Sequence, residues 1–149
     1  MLVSEFCNRE VVIVDRETTI LEAAKLMRTE HVGDLVVTDS RNGRPVPVGI
    51  LTDRDIVVEL LAEEIALNKV SVGDAMSYEL LSVKEQDGLQ ETIEKMSSRG
   101  VRRLPVVDAE GVLVGIVTVD DLMELMAEQL TGLVRLVGNQ LVGERKRRQ

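Results

Sequence analysis

The residues best suited to chemistry are a threonine and an aspartate that occur twice with the same spacing. Thr52 precedes Asp55 in Gly-Ile-Leu-Thr-Asp-Arg-Asp, and Thr118 precedes Asp121 in Gly-Ile-Val-Thr-Val-Asp-Asp. Each pair lies where a strand-like apolar run gives way to a helical pattern. A carboxylate there can accept hydrogen bonds from both hydroxyls of a ribose, with the threonine hydroxyl as a further contact. The same spacing also fits a capping box, in which both side chains only satisfy the start of a helix.

The scarcity of other residue types excludes several classes of site. The 149 residues include one histidine (His31), one cysteine (Cys7) and no tryptophan. A Cys/His zinc site therefore cannot be assembled, and His31 is the single imidazole that could serve a catalytic triad as its base. Acidic pairs such as Asp120 and Asp121 would need a metal ion or a raised pKa that no other residue in the sequence specifies. We therefore expect no enzyme. His31 is predicted at a helix end and Cys7 as a packing residue.

The charge balance bears on partners and location. The net charge of −8, from 18 basic and 26 acidic side chains, repels phosphate backbones, so no nucleic-acid partner is expected. The basic residues 145–148 are interpreted as a solvated tail, with a nucleic-acid or membrane arm as the alternative. No apolar run approaches the roughly 20 residues of a membrane-spanning helix. The single cysteine and the lack of signal-peptide features at the start favour a cytoplasmic protein with no membrane partner.

The positioning elements follow from an internal duplication. An offset of 69 residues aligns Cys7 with Met76 and continues for about thirty residues, and an offset of 66 then aligns Gly49 with Gly115. Each copy has the order β-α-β-β-α, with return strands predicted at 46–51 and 112–117. Because about 65 residues without aromatic anchors make a marginal core, we expect an α+β fold of two pseudo-symmetric repeats packed through their sheets.

The predicted boundaries divide the chain into four parts. Residues 1–66 form the first repeat, 67–74 a linker, 75–130 the second repeat, and 131–149 a helical extension with the basic tail. Apolar residues continue at helical spacing beyond the second repeat at Met126, Leu130, Leu133, Val134, Val137 and Leu141. This stripe predicts a surface for a second copy of the chain, hence a homodimer. Packing back onto its own domain is the alternative.

The order of these motifs resembles a tandem pair of cystathionine-β-synthase-type (CBS) domains, also called a Bateman module. The resemblance covers roughly residues 3–129. It rests on the two Gly-x-x-Thr-x-x-Asp elements, on the entry segment Val-Gly-Asp-Ala-Met at 72–76, and on Val-Arg-Arg-Leu-Pro-Val-Val-Asp at 101–108. The first copy departs from the pattern, because Gly33 and Asp34 stand where the second copy has Arg102 and Arg103.

The resemblance implies a non-catalytic regulatory module with up to two adenosine sites between its halves. The implied ligands are AMP, ADP or ATP, with NAD and S-adenosylmethionine as further candidates, and the implied partners are a second copy and an unidentified regulated protein. The implied ribose-binding residues are Thr52 and Asp55 in one site and Thr118 and Asp121 in the other. Adenine is placed near Val11 and Leu80, with Tyr78 either against the base or covering the core, and phosphate near Arg54, Arg102 and Arg103.

Two alternatives remain open from the sequence. The three arginines also fit ordinary solvated surface charge. A scaffolding homodimer that binds no ligand would retain the Thr-x-x-Asp pairs as helix caps.

The lack of two arginines in the first copy predicts that the two sites differ. The first copy's site either prefers a less anionic ligand or borrows arginines across the interface.

Overall fold

The computed structural model describes residues 1–77 and 80–148. In the first repeat, helix α1 (Val3–Phe6) is followed by strand β1 (Ile13–Val14), helix α2 (Ile20–Glu30), strands β2 (Asp34–Arg41) and β3 (Arg44–Thr52), and helix α3 (Asp55–Leu61), a wide helix of π-type hydrogen bonding. The second repeat has α4 (Val72–Ala75), β4 (Val83–Lys84), α5 (Leu89–Arg99), β5 (Arg103–Val107), β6 (Leu113–Thr118) and α6 (Val119–Arg148). The predicted duplication is therefore present element by element.

Each repeat has one three-stranded sheet, ordered β1-β2-β3 or β4-β5-β6, in which the first pair is parallel and the second antiparallel. The central strands β2 and β5 are buried because both contain continuous apolar runs. Helices α2 and α5 turn one apolar face onto these sheets, led by Ile20 and Met27 in the first repeat and Met96 in the second. The predicted α+β class and the paired repeats are confirmed.

Both amphipathic helices end in the same way. His31 adopts a left-handed conformation at the end of α2 (φ 56°), as Gly100 does after α5 (φ 63°). In this conformation the N–H of the residue donates to a carbonyl of the last helical turn, and the conformation favours glycine. His31 thus lies at a helix end, as its sequence position predicted.

The short entry helices are exchanged between the repeats. Helix α1 is the first element of the first repeat, yet Val3 is fully buried in the core of the second, and its N–H donates to the Asp87 carbonyl at 2.9 Å. Helix α4 does the converse: Val72 is fully buried in the first core, and its N–H donates to the Thr18 carbonyl at 2.7 Å. Residues 67–74, predicted as a linker, therefore include part of the first repeat's core.

Two glycines permit this exchange. A Cβ atom at Gly49 would lie 2.8 Å from the Ser77 carbonyl oxygen, and one at Gly115 would lie 2.8 Å from that of Asn8. Asn8 and Ile116 exchange both backbone hydrogen bonds, at 2.9 and 2.8 Å, so the segment after α1 extends the second sheet at β6. The equivalent glycines of the duplicated motif are required because backbone crosses directly over them.

Helix α6 extends well beyond the second repeat. Its 30 residues correspond to about 45 Å. Seven of its side chains form an apolar stripe and are between 42% and 64% exposed: Met123, Met126, Leu130, Leu133, Val134, Val137 and Leu141. From Leu130 to Leu141 the stripe does not pack back onto the described residues of the chain. Within the described part of the chain, no helix combines the length and apolarity that crossing a membrane requires.

Candidate functional site

The larger of two clefts at the Thr-x-x-Asp motifs, here the Asp55 cleft, opens where strand β3 passes into α3. It has a volume of about 390 Å³, and residues from both repeats line it. The first repeat contributes Thr52, Asp55 and Arg54, and the second contributes an apolar wall and two arginines. Its lining comprises Ile50, Thr52, Asp53, Arg54, Asp55, Ser77, Leu80, Leu81, Val101, Arg102, Arg103 and Leu104.

The Thr–Asp pair at this cleft forms a reciprocal cap. The Thr52 N–H donates to Asp55 Oδ2 at 3.0 Å, and the Asp55 N–H donates to Thr52 Oγ1 at 3.1 Å. Thr118 and Asp121 repeat the arrangement at 3.3 and 3.1 Å. The capping interpretation is therefore realised at both motifs. Each cap uses Oδ2, which leaves Oδ1 of both carboxylates without a hydrogen bond to the described residues and available to a diol.

The second cleft, here the Asp121 cleft, lies at the start of α6 and is smaller, about 140 Å³. It joins Thr118 and Asp121 of the second repeat to the segment after α1 and to the start of β2. Its lining is Asn8, Glu10, Val11, Val12, Val32, Asp34, Ile116, Thr118 and Asp121.

The sequence-predicted residues are thus brought together across the repeats. Leu80, Arg102 and Arg103 line the cleft that contains Asp55, and Val11 lines the cleft that contains Asp121. The arginines of the second copy lie at the first copy's motif, which corresponds to borrowing across the interface. Tyr78 lies outside the described residues.

Asp34 and Arg103 contact each other between the two clefts. Arg103 Nε lies 3.5 Å from Asp34 Oδ2, with the side chains 30% and 24% exposed. Nε itself is buried and makes no hydrogen bond to the described residues. Burial raises the pKa of Asp34; the Arg103 charge lowers it, and the neighbouring Asp53 charge raises it further. This pair combines a carboxylate that burial penalises with a guanidinium whose Nε lacks an acceptor among the described residues.

Several lining residues escaped the sequence interpretation. Ile50 lies two residues before Thr52 on the same strand, so strand periodicity places both side chains on one face. This strand periodicity was the sequence signal that could have identified Ile50 as a lining residue. Ser77 gave no signal, and Asp34 gave only its alignment with Arg103, because each reaches its cleft through the exchange of entry segments and the pairing of the repeats. Among the residues described, none form a cluster of three or more metal-ligating side chains.

Comparison with known proteins matches the chain twice to the CBS domain family, at residues 3–62 and 72–128. The CBS domain-containing protein YhcV of Bacillus subtilis is 36% identical over 120 residues, which are 80% of this chain and 81% of YhcV. An uncharacterized protein of Methanopyrus kandleri, MK0525, is 33% identical over 123 residues. These cover 83% of this chain but 61% of MK0525, so the chain spans less than two thirds of that relative.

Among solved structures, a similar fold is that of the CBS domain pair of protein MJ0100 in complex with 5′-methylthioadenosine and S-adenosyl-L-methionine. The TM-score is 0.74 at 28% sequence identity, covering 87% of this chain and 98% of the other. The agreement therefore extends over both repeats of the two proteins.

Proposed function

The chain belongs to the CBS domain family, and from that premise we propose that it is a non-catalytic regulatory module that binds an adenosine-containing ligand between its repeats. The proposed ligands are AMP, ADP or ATP, with NAD and S-adenosylmethionine as further candidates. The main support is the Asp55 cleft, whose volume of about 390 Å³ falls in the range of about 300–1,000 Å³ usual for small-molecule sites. That the MJ0100 pair is described with two adenosine compounds supports the same ligand class.

In this proposal three kinds of contact in the cleft hold the ribose, the base and the phosphate of the ligand. Asp55 Oδ1 and the Thr52 hydroxyl receive the ribose, and the base lies against the apolar wall around Leu80. The phosphate lies among the three arginines at the mouth, because guanidinium groups match phosphate oxygens in geometry and charge. Asp121, Thr118 and Val11 form the corresponding second site.

The proposed regulation follows from the composition of the cleft. Because both repeats line it, a ligand that contacts both can shift their relative orientation. The shift is limited to the difference between the ligand's affinities for the two orientations. The altered surface is then presented to a regulated protein partner.

We further propose that the chain forms a homodimer through α6. An exposed helix with glycines at 132, 138 and 143 is poorly stabilised alone, because each glycine costs about 1 kcal/mol relative to alanine. Charge favours an antiparallel second copy: the helix starts with Asp120, Glu124 and Glu128 and ends near Arg145 and Lys146. A two-fold axis near the middle of α6 would pair the acidic and basic ends and cover the apolar stripe.

One observation favours a second candidate function, a scaffolding homodimer that binds no ligand. Both Thr-x-x-Asp motifs make both hydrogen bonds of a capping box, so the caps alone account for these residues. The experiment below separates the two candidates.

Thermal unfolding of the protein with AMP, ATP, NAD or S-adenosylmethionine tests the proposal. A ligand at a hundredfold excess over its Kd adds about 2.7 kcal/mol to the free energy of unfolding. We expect this gain with at least one compound and expect Asp55→Asn, which keeps an oxygen for the cap, to reduce it strongly.

The matched control is Asp74→Asn, which alters the equivalent cap of α4 with Ser71 at an exposed position away from both clefts. It should keep the full ligand-induced gain. If none of the four compounds stabilises the protein, the scaffold is the better description. If Asp55→Asn retains the gain, the carboxylate acts only as a cap.

A further inference from the structure

The two clefts are built alike but carry unlike charges. The Asp55 cleft is lined by three arginines and two aspartates. The Asp121 cleft is lined by Glu10, Asp34 and Asp121, with no lysine or arginine among its described lining residues. One cleft therefore offers cations to a ligand, whereas the charged side chains that line the other are all carboxylates.

A single pair of equivalent positions accounts for much of this difference. Asp34 and Arg103 are the first residues of β2 and β5, and each pairs in register with the motif threonine of its own repeat, Thr52 or Thr118. Each nevertheless lines the other repeat's cleft. The same architectural position thus supplies a cation to the Asp55 cleft and an anion to the Asp121 cleft.

We propose that this pair determines which ligand charge each cleft accepts. A phosphorylated adenosine ligand then binds in the Asp55 cleft alone, at one per chain. Asp34 keeps phosphate out of the Asp121 cleft. This inference rests on the proposed adenosine-binding function. A phosphate in the Asp121 cleft lies beside three carboxylates, with no lysine or arginine among the described lining residues. Each carboxylate repels it, and the partly buried setting screens that repulsion less than bulk water does. The smaller volume of the Asp121 cleft, about 140 Å³, acts in the same direction.

The contact between the two residues gives Asp34 a second effect. Because Arg103 Nε lies 3.5 Å from Asp34 Oδ2, a phosphate in the Asp55 cleft competes with Asp34 for the guanidinium. Removal of the Asp34 charge therefore frees Arg103 and strengthens phosphate binding in the neighbouring cleft. A surface charge that contacted neither cleft would have no such effect.

Isothermal titration calorimetry with AMP and with adenosine tests the assignment. The unsubstituted protein is expected to bind one AMP per chain. Arg103→Gln should weaken AMP about tenfold or more, and Asp34→Asn should tighten it about fivefold or more, the lower end of typical coupling between sites. Because adenosine has no phosphate, both variants should change adenosine affinity at the Asp55 cleft much less than they change AMP affinity.

Asp34→Arg, which copies the residue of the second repeat, should create a second AMP site. Asp34→Asn keeps the proposal testable if that larger change prevents folding. Arg99→Gln is the matched control, since Arg99 is an exposed arginine at the end of α5 that lines neither cleft; it should bind AMP normally.

Two equal AMP sites in the unsubstituted protein, or equal loss of AMP and adenosine binding in Arg103→Gln, would overturn the charge assignment and leave the proposed function intact. Absence of both AMP and adenosine binding would overturn the charge assignment and count against the proposed function, which the other adenosine compounds test independently.

Discussion

Asp34 and Asp39 lie on the same strand, yet their environments shift their acidities in opposite directions. Burial raises the pKa of Asp34. The Arg16 guanidinium, which donates to Asp39 from Nε at 2.9 Å, lowers the pKa of that exposed carboxyl. The two residues therefore predict opposite effects of pH on stability.

For Asp34, the raised pKa means that the folded protein binds a proton more readily than the unfolded chain does. The ionised carboxylate then costs stability above its folded pKa, and that cost disappears as the pH falls through it. We expect Asp34→Asn to raise the Tm at neutral pH, and the gain to vanish as the pH falls toward about 4, the usual range of aspartate. Thermal unfolding across this interval measures the difference.

Asp39→Asn is the control with the reverse sign. A lowered folded pKa contributes stability that is present above the unfolded pKa and lost as the pH falls through the folded value. This variant should have a slightly lower Tm at neutral pH, by the small amount typical of an exposed ion pair. A lower Tm for Asp34→Asn at neutral pH would show that its contact with Arg103 outweighs its burial.

The residues of the site were only partly predictable. The duplicated Thr-x-x-Asp spacing located both ribose-type pairs, since a helix start after a strand can be recognised locally. The sequence could not decide whether these pairs also bind ligand, because a cap and a diol site require the same residue types at the same spacing. Asp34 appeared only as a departure from the arginine pattern, and its contact with Arg103 depends on how the two repeats face each other.

At the scale of elements, the motif glycines predict a measurable cost. Gly115→Ala and Gly49→Ala each place a Cβ atom 2.8 Å from a backbone oxygen of an exchanged segment, so that segment must shift. We expect a loss of about 1–3 kcal/mol in the free energy of unfolding for each, typical of overpacking, measured by chemical denaturation.

Gly132→Ala provides the comparison. A Cβ there meets no atom within 4 Å, and alanine is favoured over glycine within a helix by about 1 kcal/mol. This variant should be as stable as the unsubstituted protein or more so. Equal behaviour of Gly115→Ala and Gly132→Ala would contradict the close crossing at β6.

The order of elements was predictable, whereas the exchange of entry segments was not. Apolar periodicity and turn residues act locally, so two copies of β-α-β-β-α could be identified from the chain alone. The exchange is a choice between two sheets with the same apolar pattern. Gly49 and Gly115 each leave room for an entry segment to cross the sheet. A valine at position 3 or 72 could fill either core.

At the scale of the whole molecule, the apolar stripe of α6 predicts a dimer that a single charge disrupts. Leu130→Glu places a carboxylate at the centre of the stripe, where dimer formation would bury it without a partner. We expect the unsubstituted protein to have the mass of a dimer by size-exclusion chromatography with light scattering, and this variant that of a monomer.

Asn139→Glu is the matched control because, at 3.6 residues per turn, position 139 faces away from Leu130. It should remain a dimer. A monomeric unsubstituted protein, or a Leu130→Glu variant that remains dimeric with normal stability, would exclude assembly through this stripe.

The exchanged entry helices also affect how the chain folds. Since Val3 completes the second core and Val72 the first, each repeat needs a segment from the other half of the chain to complete its core, and we expect the two halves to unfold as one cooperative unit. Cleaving the chain between the repeats would give two fragments. Each would lack the entry helix that completes its core and would carry the entry helix of the other repeat. A neighbouring copy of the chain can donate the same entry helices. Domain swapping is therefore the misassembly we expect of this architecture at high concentration.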